Sequence, residues 1–230
     1  LFQYEKDAFD CIVLDEAHHV PADTYQKVMK HFTPKLWLGM TATPDKRDDN
    51  IEGRNVYELF DHQIAYEIRL QQAMEENLLC PFHYFGITDL AIIGDDEEAS
   101  RDFSVLTSDE RVKHIINEAD YYGYSGDKVK GLIFCSSIKE TEELSEKFNH
   151  MINPSTGQKF RTIALNGSAS EQERQNAFER LAMNKEDATA DHEPLDYIFS
   201  VEILNEGVDI VEVNQVIMLR PTQSTPSFSI

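Results

Sequence analysis

From Gly131 to Leu219 the chain repeats one pattern: a short apolar run, an amphipathic stretch of helical period, then another apolar run. Residues 131–135 read as a strand, 139–151 as a helix and 160–165 as a strand. Ser170, with Glu173 three residues later in capping-box spacing, opens a helix through 181. Strands follow over 195–201 and 214–219. Connections long enough to hold a helix return the chain to the same end of the sheet, so the pattern predicts right-handed βαβ crossovers and a parallel sheet.

The amino-terminal part carries the same signal with different chemistry at its ends. Residues 9–15 form an apolar run, Cys11-Ile12-Val13-Leu14, that meets two adjacent acids, Asp15 and Glu16. Such a run reads as a buried strand of a parallel sheet, and ligand chemistry in these sheets collects at the carboxyl ends of strands. One carboxylate there can hold a hydrated Mg²⁺ on a nucleotide and the other can orient water. An acidic surface turn is the plain alternative, and the tetrapeptide by itself leaves both open. A helix is expected over 22–31 and a second strand over 35–40. That strand ends in Thr41-Ala42-Thr43-Pro44, where Pro44 disfavours helix at Thr43 and forces an extended exit. Two hydroxyls at that strand end can bond a neighbouring acid or imidazole, or satisfy local backbone.

Residues 45–55 read as a polar loop, 62–79 as a helix and 82–88 as a strand, with a domain boundary near Phe60. An acidic loop over 94–103 precedes a helix that Ser108 caps and that runs to about 121. The 230 residues suit one large or two modest domains. A net charge of −21 argues against a generic basic nucleic-acid coat protein, without excluding a local basic groove. No run approaches a membrane span and no basic, apolar leader precedes the first strand, so a cytoplasmic protein without membrane association is expected. The chain begins at Leu1, not Met, and reads as a fragment or processed product. Cys11, Cys80 and Cys135 are odd in number and far apart, which predicts reduced core thiols and no disulfide framework.

Several rival sites are weaker. His18 and His19 beside two acids lack a second ligand pair at zinc spacing. Ser136 and Ser137 are not in a nucleophile-elbow sequence. Asp191-His192-Glu193 reads as solvated surface, and Trp37 as core.

Asp15-Glu16-Ala17-His18 followed by Gly39-Met40-Thr41-Ala42-Thr43-Pro44 resembles motifs II and III of a superfamily-two DEAH-type helicase. Leu132-Ile133-Phe134-Cys135 resembles motif IV. Leu165-Asn166-Gly167, with Glu173, Arg174 and Phe178, resembles the strand, loop and helix that follow. Leu204-Asn205-Glu206-Gly207-Val208-Asp209-Ile210 resembles motif V. The wording is closer to bacterial DEAH-type helicases and restriction-subunit-like DNA translocases than to DEAD-box RNA helicases.

The resemblance implies an α/β chain in two parts. Residues 1–60 would be the carboxyl-terminal part of a first RecA-like, ATP-binding domain. Residues 61–230 would be most of a second, truncated before motif VI. ATP would sit between such domains with Mg²⁺ bound through water by Asp15, and Glu16 would position the attacking water. His18, Thr41 and Thr43 would couple nucleotide state to nucleic acid. Glu206, Gly207 and Asp209 would lie in the nucleotide and nucleic-acid cleft, with Asp209 a candidate for the ribose. DNA is favoured over RNA as the track, and a nuclease domain or subunit is a further candidate partner.

The departures bear on activity. No Gly-rich loop followed by Lys and Ser or Thr occurs in the chain. The family's phosphate loop is expected before Leu1 and its arginine-bearing motif VI beyond Ile230. Val201 and Glu202 stand where DEAD-box relatives carry Thr and Asp, and Val211 replaces a common proline. The expectation is a helicase or translocase part that is inactive alone. The alternatives are the motor subunit of a restriction or repair nuclease, and a non-catalytic α/β module that binds nucleic acid or a partner.

Overall fold

The computed structural model describes residues 1–19, 23–42, 56–87, 103–189, 192–201 and 210–219. The chain divides into two compact units, Leu1–Tyr84 and Phe85–Thr225. The sequence placed a boundary near Phe60. There the backbone folds back: His62 N donates to Tyr57 O and Gln63 N to Phe60 O, at 2.7 and 3.0 Å.

In the first unit β1 (Cys11–Leu14) pairs in parallel with β2 (Leu36–Gly39), Leu14 opposite Gly39. The connection contains α1 (Asp23–His31). Tyr25 and Met29, one turn apart on α1, pack with Ile12 and Trp37 around Leu14 and Ala17. Val56, Leu59 and Phe60, from and just after α2 (Val56–Leu59), close the same cluster. Only one face of this pair is covered among the described residues. Val13 and Leu36 are exposed and only Leu14 of β1 is buried, so the expected fully buried strand is half-covered.

Two other expectations fail here. The helix over 62–79 shrinks to α3 (Leu70–Glu75). Asp61 and His62 have φ of 53° and 56°, and Arg69 caps α3 in an extended conformation without a side-chain capping bond to the helix. Asn77, at φ 57°, turns the chain out of the helix, as a left-handed residue beyond a helix end does. Periodicity suggested more helix than the backbone supports, and α3 buries only Ala73. The strand over 82–88 is absent among its described residues, 82–87, which are exposed and have no neighbouring strand. The loop over 45–55 and residues 94–102 of the acidic loop lie outside the described residues, and Phe103, the last residue of that expected loop, begins a helix.

The second unit opens with α4 (Phe103–Leu106) and α5 (Asp109–Tyr122). It continues with β3 (Gly131–Phe134), α6 (Ile138–His150), β4 (Thr162–Leu165), α7 (Glu171–Ala182), β5 (Tyr197–Ser200) and β6 (Gln215–Met218). The four strands are parallel, in the order β4-β5-β3-β6, as the alternation predicted.

Strand alternation splits the core into two layers. Ile133, Tyr197 and Phe199 face α5 and α6, packing with Val112, Ile115, Ile116, Leu144 and Phe148. Phe134 and Ile198 face the other side, packing with Ala177 and Leu181 of α7. The result is a helix–sheet–helix sandwich. The Ser170 capping box forms in full, with its oxygen accepting from Glu173 N and Glu173 accepting from Ser170 N. Of the three thiols only Cys135 is a core residue; Cys11 and Cys80 are exposed.

Candidate functional site

The parallel ladder of the first unit runs one step past its strands. Met40 N donates to Leu14 O at 2.9 Å and Ala17 N to Met40 O at 2.8 Å. Those bonds pin both ends of the Asp15–Glu16 turn. Ala17 is fully buried, 3.0 Å from where a Cβ on Gly39 would lie. The Phe60 ring would come within 2.6 Å of that same Cβ, so Gly39 is required for β2 to approach the turn.

Within the turn Glu16 has φ of 48°, a left-handed conformation that costs a residue with a side chain about 1 kcal/mol or more. Its N–H donates to Asp15 Oδ1 at 2.9 Å. A single helical turn, Ala17–His19, follows and carries His18 inward. His18 Nδ1 lies 3.2 Å from Glu16 Oε2 and 3.0 Å from Thr41 Oγ1. A carboxylate only accepts, so the proton belongs on Nδ1, where it serves both oxygens. The His18 side chain is 4% exposed and that of Glu16 43%. A buried imidazole thus ties an accessible carboxylate at the end of β1 to a hydroxyl at the end of β2.

The structure brings together Asp15, Glu16, His18 and Thr41. Thr43, Glu206, Gly207 and Asp209 lie outside the described residues. No cluster of three or more His, Cys, Asp or Glu suited to hold a metal occurs among the described residues.

The carboxyl edge of the second sheet carries a network that the sequence reading missed. Glu140 is fully buried. Its Oε2 accepts from Ser136 N and its Oε1 from Arg111 Nη1, both at 2.8 Å. Arg111, 1% exposed, also donates to Leu106 O. The turn leaving β3 is thereby fastened to the start of α5. A signal existed: Ser137-x-x-Glu140 has capping-box spacing, and Ser137 Oγ does accept from Glu140 N at 3.2 Å. The glutamate, however, reaches the preceding amide and a distant arginine. Beside it, burial and then the Glu140 charge push the Cys135 thiol up to about 12. At the end of β4, Asn166 Oδ1 accepts from Ser168 N and Ser168 Oγ, folding the loop that leads to α7.

Comparison with known proteins agrees with both halves. Residues 110–229, just over half of the chain, match the family described as helicase conserved C-terminal domain. Residues 2–46 match the family described as type III restriction enzyme, res subunit. The Saccharomyces cerevisiae protein IRC3, which carries the provisional name of an ATP-dependent helicase, is 20% identical over 97% of this chain and 31% of its own length. A 51.5 kDa protein of a Lactococcus phage (isolate 7-9) is 20% identical over 94% of this chain and 44% of its own. The chain thus spans less than half the length of these curated relatives. The solved ATP-dependent type ISP restriction-modification enzyme LlaBIII, bound to DNA, superposes with a TM-score of 0.56 at 17% identity, covering 93% of this chain and 16% of that one.

Proposed function

The chain belongs to the family of the helicase conserved C-terminal domain, and on that premise we propose that it is part of an ATP-hydrolysing nucleic-acid motor with DNA as its favoured track. One observation carries the reading: the buried His18 imidazole touches both the Glu16 carboxylate and the Thr41 hydroxyl, each at the end of its own strand. In this reading the first unit supplies the acidic pair of one RecA-like domain. The second unit is the other RecA-like domain, with Glu206, Gly207 and Asp209 lining its nucleotide and nucleic-acid surface.

Asp15, whose Oδ1 accepts from the Glu16 amide, would hold a hydrated Mg²⁺ on the nucleotide. Bound there, the ion would neutralise charge on the phosphates. Glu16, half-exposed and aimed by its turn, orients the water that attacks the γ-phosphate. His18 holds that carboxylate and shares its proton with Thr41, so a change at the phosphate is felt by β2 and by Thr43 beyond it. Catalysis of this kind rests on positioning and preorganised charge. The chain contains no phosphate loop, and alone it binds ATP weakly and turns it over negligibly in this reading. No helix among the described residues is long and apolar enough to cross a membrane.

Glu16→Gln in the longer protein tests the assignment. ATP turnover falls at least about a hundredfold while nucleotide binding persists; unchanged turnover overturns it. A second reading, the motor subunit of a restriction or repair nuclease, draws on the match of residues 2–46 to the res-subunit family. ATP-dependent cleavage of plasmid DNA by the longer protein and its co-purifying subunits would establish it.

A further inference from the structure

The amino edge of the second sheet, opposite the edge of Ser136 and Asn166, holds cations that the proposed motor chemistry does not use. Helices of a parallel α/β unit end at this edge, so their carbonyls ordinarily make it negative. Here two lysines offset that at α7. Lys130 Nζ donates to Ala182 O at 2.6 Å, and Lys128 Nζ to Leu195 O at 2.8 Å and Met183 O at 3.4 Å.

An open groove of about 600 Å³ lies on this edge, floored by Phe160 and Leu195 and walled by Lys159, Arg161, Arg180 and Glu193. The sequence reading took Glu193 for solvated surface. It is exposed, and it is also clamped: its carboxylate accepts from Arg161 Nε at 3.0 Å and Arg161 Nη2 at 3.3 Å, and its backbone oxygen accepts from Arg180 Nε at 2.9 Å. One glutamate therefore orders two guanidiniums. The Arg161 Nη1, both Arg180 Nη groups and the Lys159 ammonium take no acceptor among the described residues. In a chain of net charge −21 this is a concentrated cationic spot.

The groove is closed to strand addition at its rim. Asn149 Oδ1 accepts from Thr162 N at 2.7 Å and Asn149 Nδ2 donates to Thr162 O at 3.2 Å, occupying both backbone groups of the edge strand there. Recognition must then come from side chains. Forked guanidiniums held in place by a third group suit tetrahedral oxyanions, and the volume suits a ligand of nucleotide size.

We propose that the groove of Lys159, Arg161 and Arg180 is a binding site for a phosphate-bearing ligand, on the opposite edge of this sheet from the motif-bearing loops. The proposal stands independently of ATP hydrolysis by the motor. Calorimetric titration of the full chain with pyrophosphate, ATP and an eight-nucleotide oligothymidylate tests it. At low salt at least one binds saturably, and which one does distinguishes a free nucleotide from a nucleic-acid backbone. Lys159→Glu, at an exposed side chain without a protein partner, weakens that binding at least about tenfold, and Lys159→Arg preserves it. Absence of saturable binding by all three probes, or unchanged affinity in Lys159→Glu, overturns the proposal.

Discussion

The Tyr197 hydroxyl donates to Gln215 Oε1 at 2.6 Å, although the two residues sit on strands separated by β3. Both pair with Gly131, and a Cβ on that glycine would lie 2.3 Å from the tyrosine ring. The ring crosses β3 where β3 has no side chain. Gln215 Nε2 then donates to Ala119 O and Gly123 O, fastening the end of α5. Gly131→Ala should therefore cost about 2–3 kcal/mol by overpacking, seen as a lower urea midpoint. Combined with Tyr197→Leu the loss should be less than additive. Full additivity would show that the ring does not need the glycine.

The Arg111–Glu140 pair makes a sharper energetic test. Arg111→Met strands a buried carboxylate and should cost about 3–5 kcal/mol. Glu140→Gln in the same chain removes the charge, while its amide oxygen can still accept from Ser136 N, and should recover a large part of that loss. Denaturant titration of both variants decides it. A double variant as unstable as Arg111→Met alone would show that the pair is not the source of the cost.

Strain at Glu16 predicts a separation of stability from activity. Glu16→Gly relieves the left-handed backbone, while glycine's freedom in the unfolded chain costs about 0.5–1 kcal/mol. The melting temperature of the chain should stay within a few degrees of the parent, yet ATP turnover by the longer protein should vanish. A drop in stability beyond about 2 kcal/mol would mean that the carboxylate has a structural role.

Cys135 should be inert where the other thiols react. Cys11 and Cys80 are exposed and should label with a maleimide at pH 7.5; Cys135 should label only on unfolding. Its folded pKa is raised to about 12 from an ordinary thiol value of 9.0, so the folded state keeps a proton that the unfolded state loses. That difference lowers stability as pH rises from about 9 toward 12. The buried Tyr197 phenol is raised as well, by burial and then by Asp196, and acts in the same direction. Native-state labelling of Cys135 at pH 7.5 would contradict this account.

Much of this was readable in the chain. The alternation after Gly131 determined a parallel sheet, because connections of that length and period leave little other choice. The apolar run into Asp15-Glu16, with Thr41 at the next strand end, marked the candidate site, because local spacing alone sets which residues leave a strand edge. The Ser170 capping box was legible for the same reason: both its bonds lie within four residues.

Long-range pairings were not legible. Nothing local joins Arg111 to Glu140 across 29 residues, Tyr197 to Gln215 across β3, or Arg161 to Glu193 in a stretch that read as solvent-facing. The helical period of 62–79 misled, because positive φ at Asp61, His62 and Asn77 arises from turns that periodicity does not encode. The sequence by itself determined the class of fold and the acidic pair, since both follow from order along the chain. Only the tertiary structure decided that the His18 imidazole lies against both Glu16 and Thr41, and that Glu193 orders two arginines. Those contacts depend on which strands become neighbours, and burial then fixes what each polar group must bond.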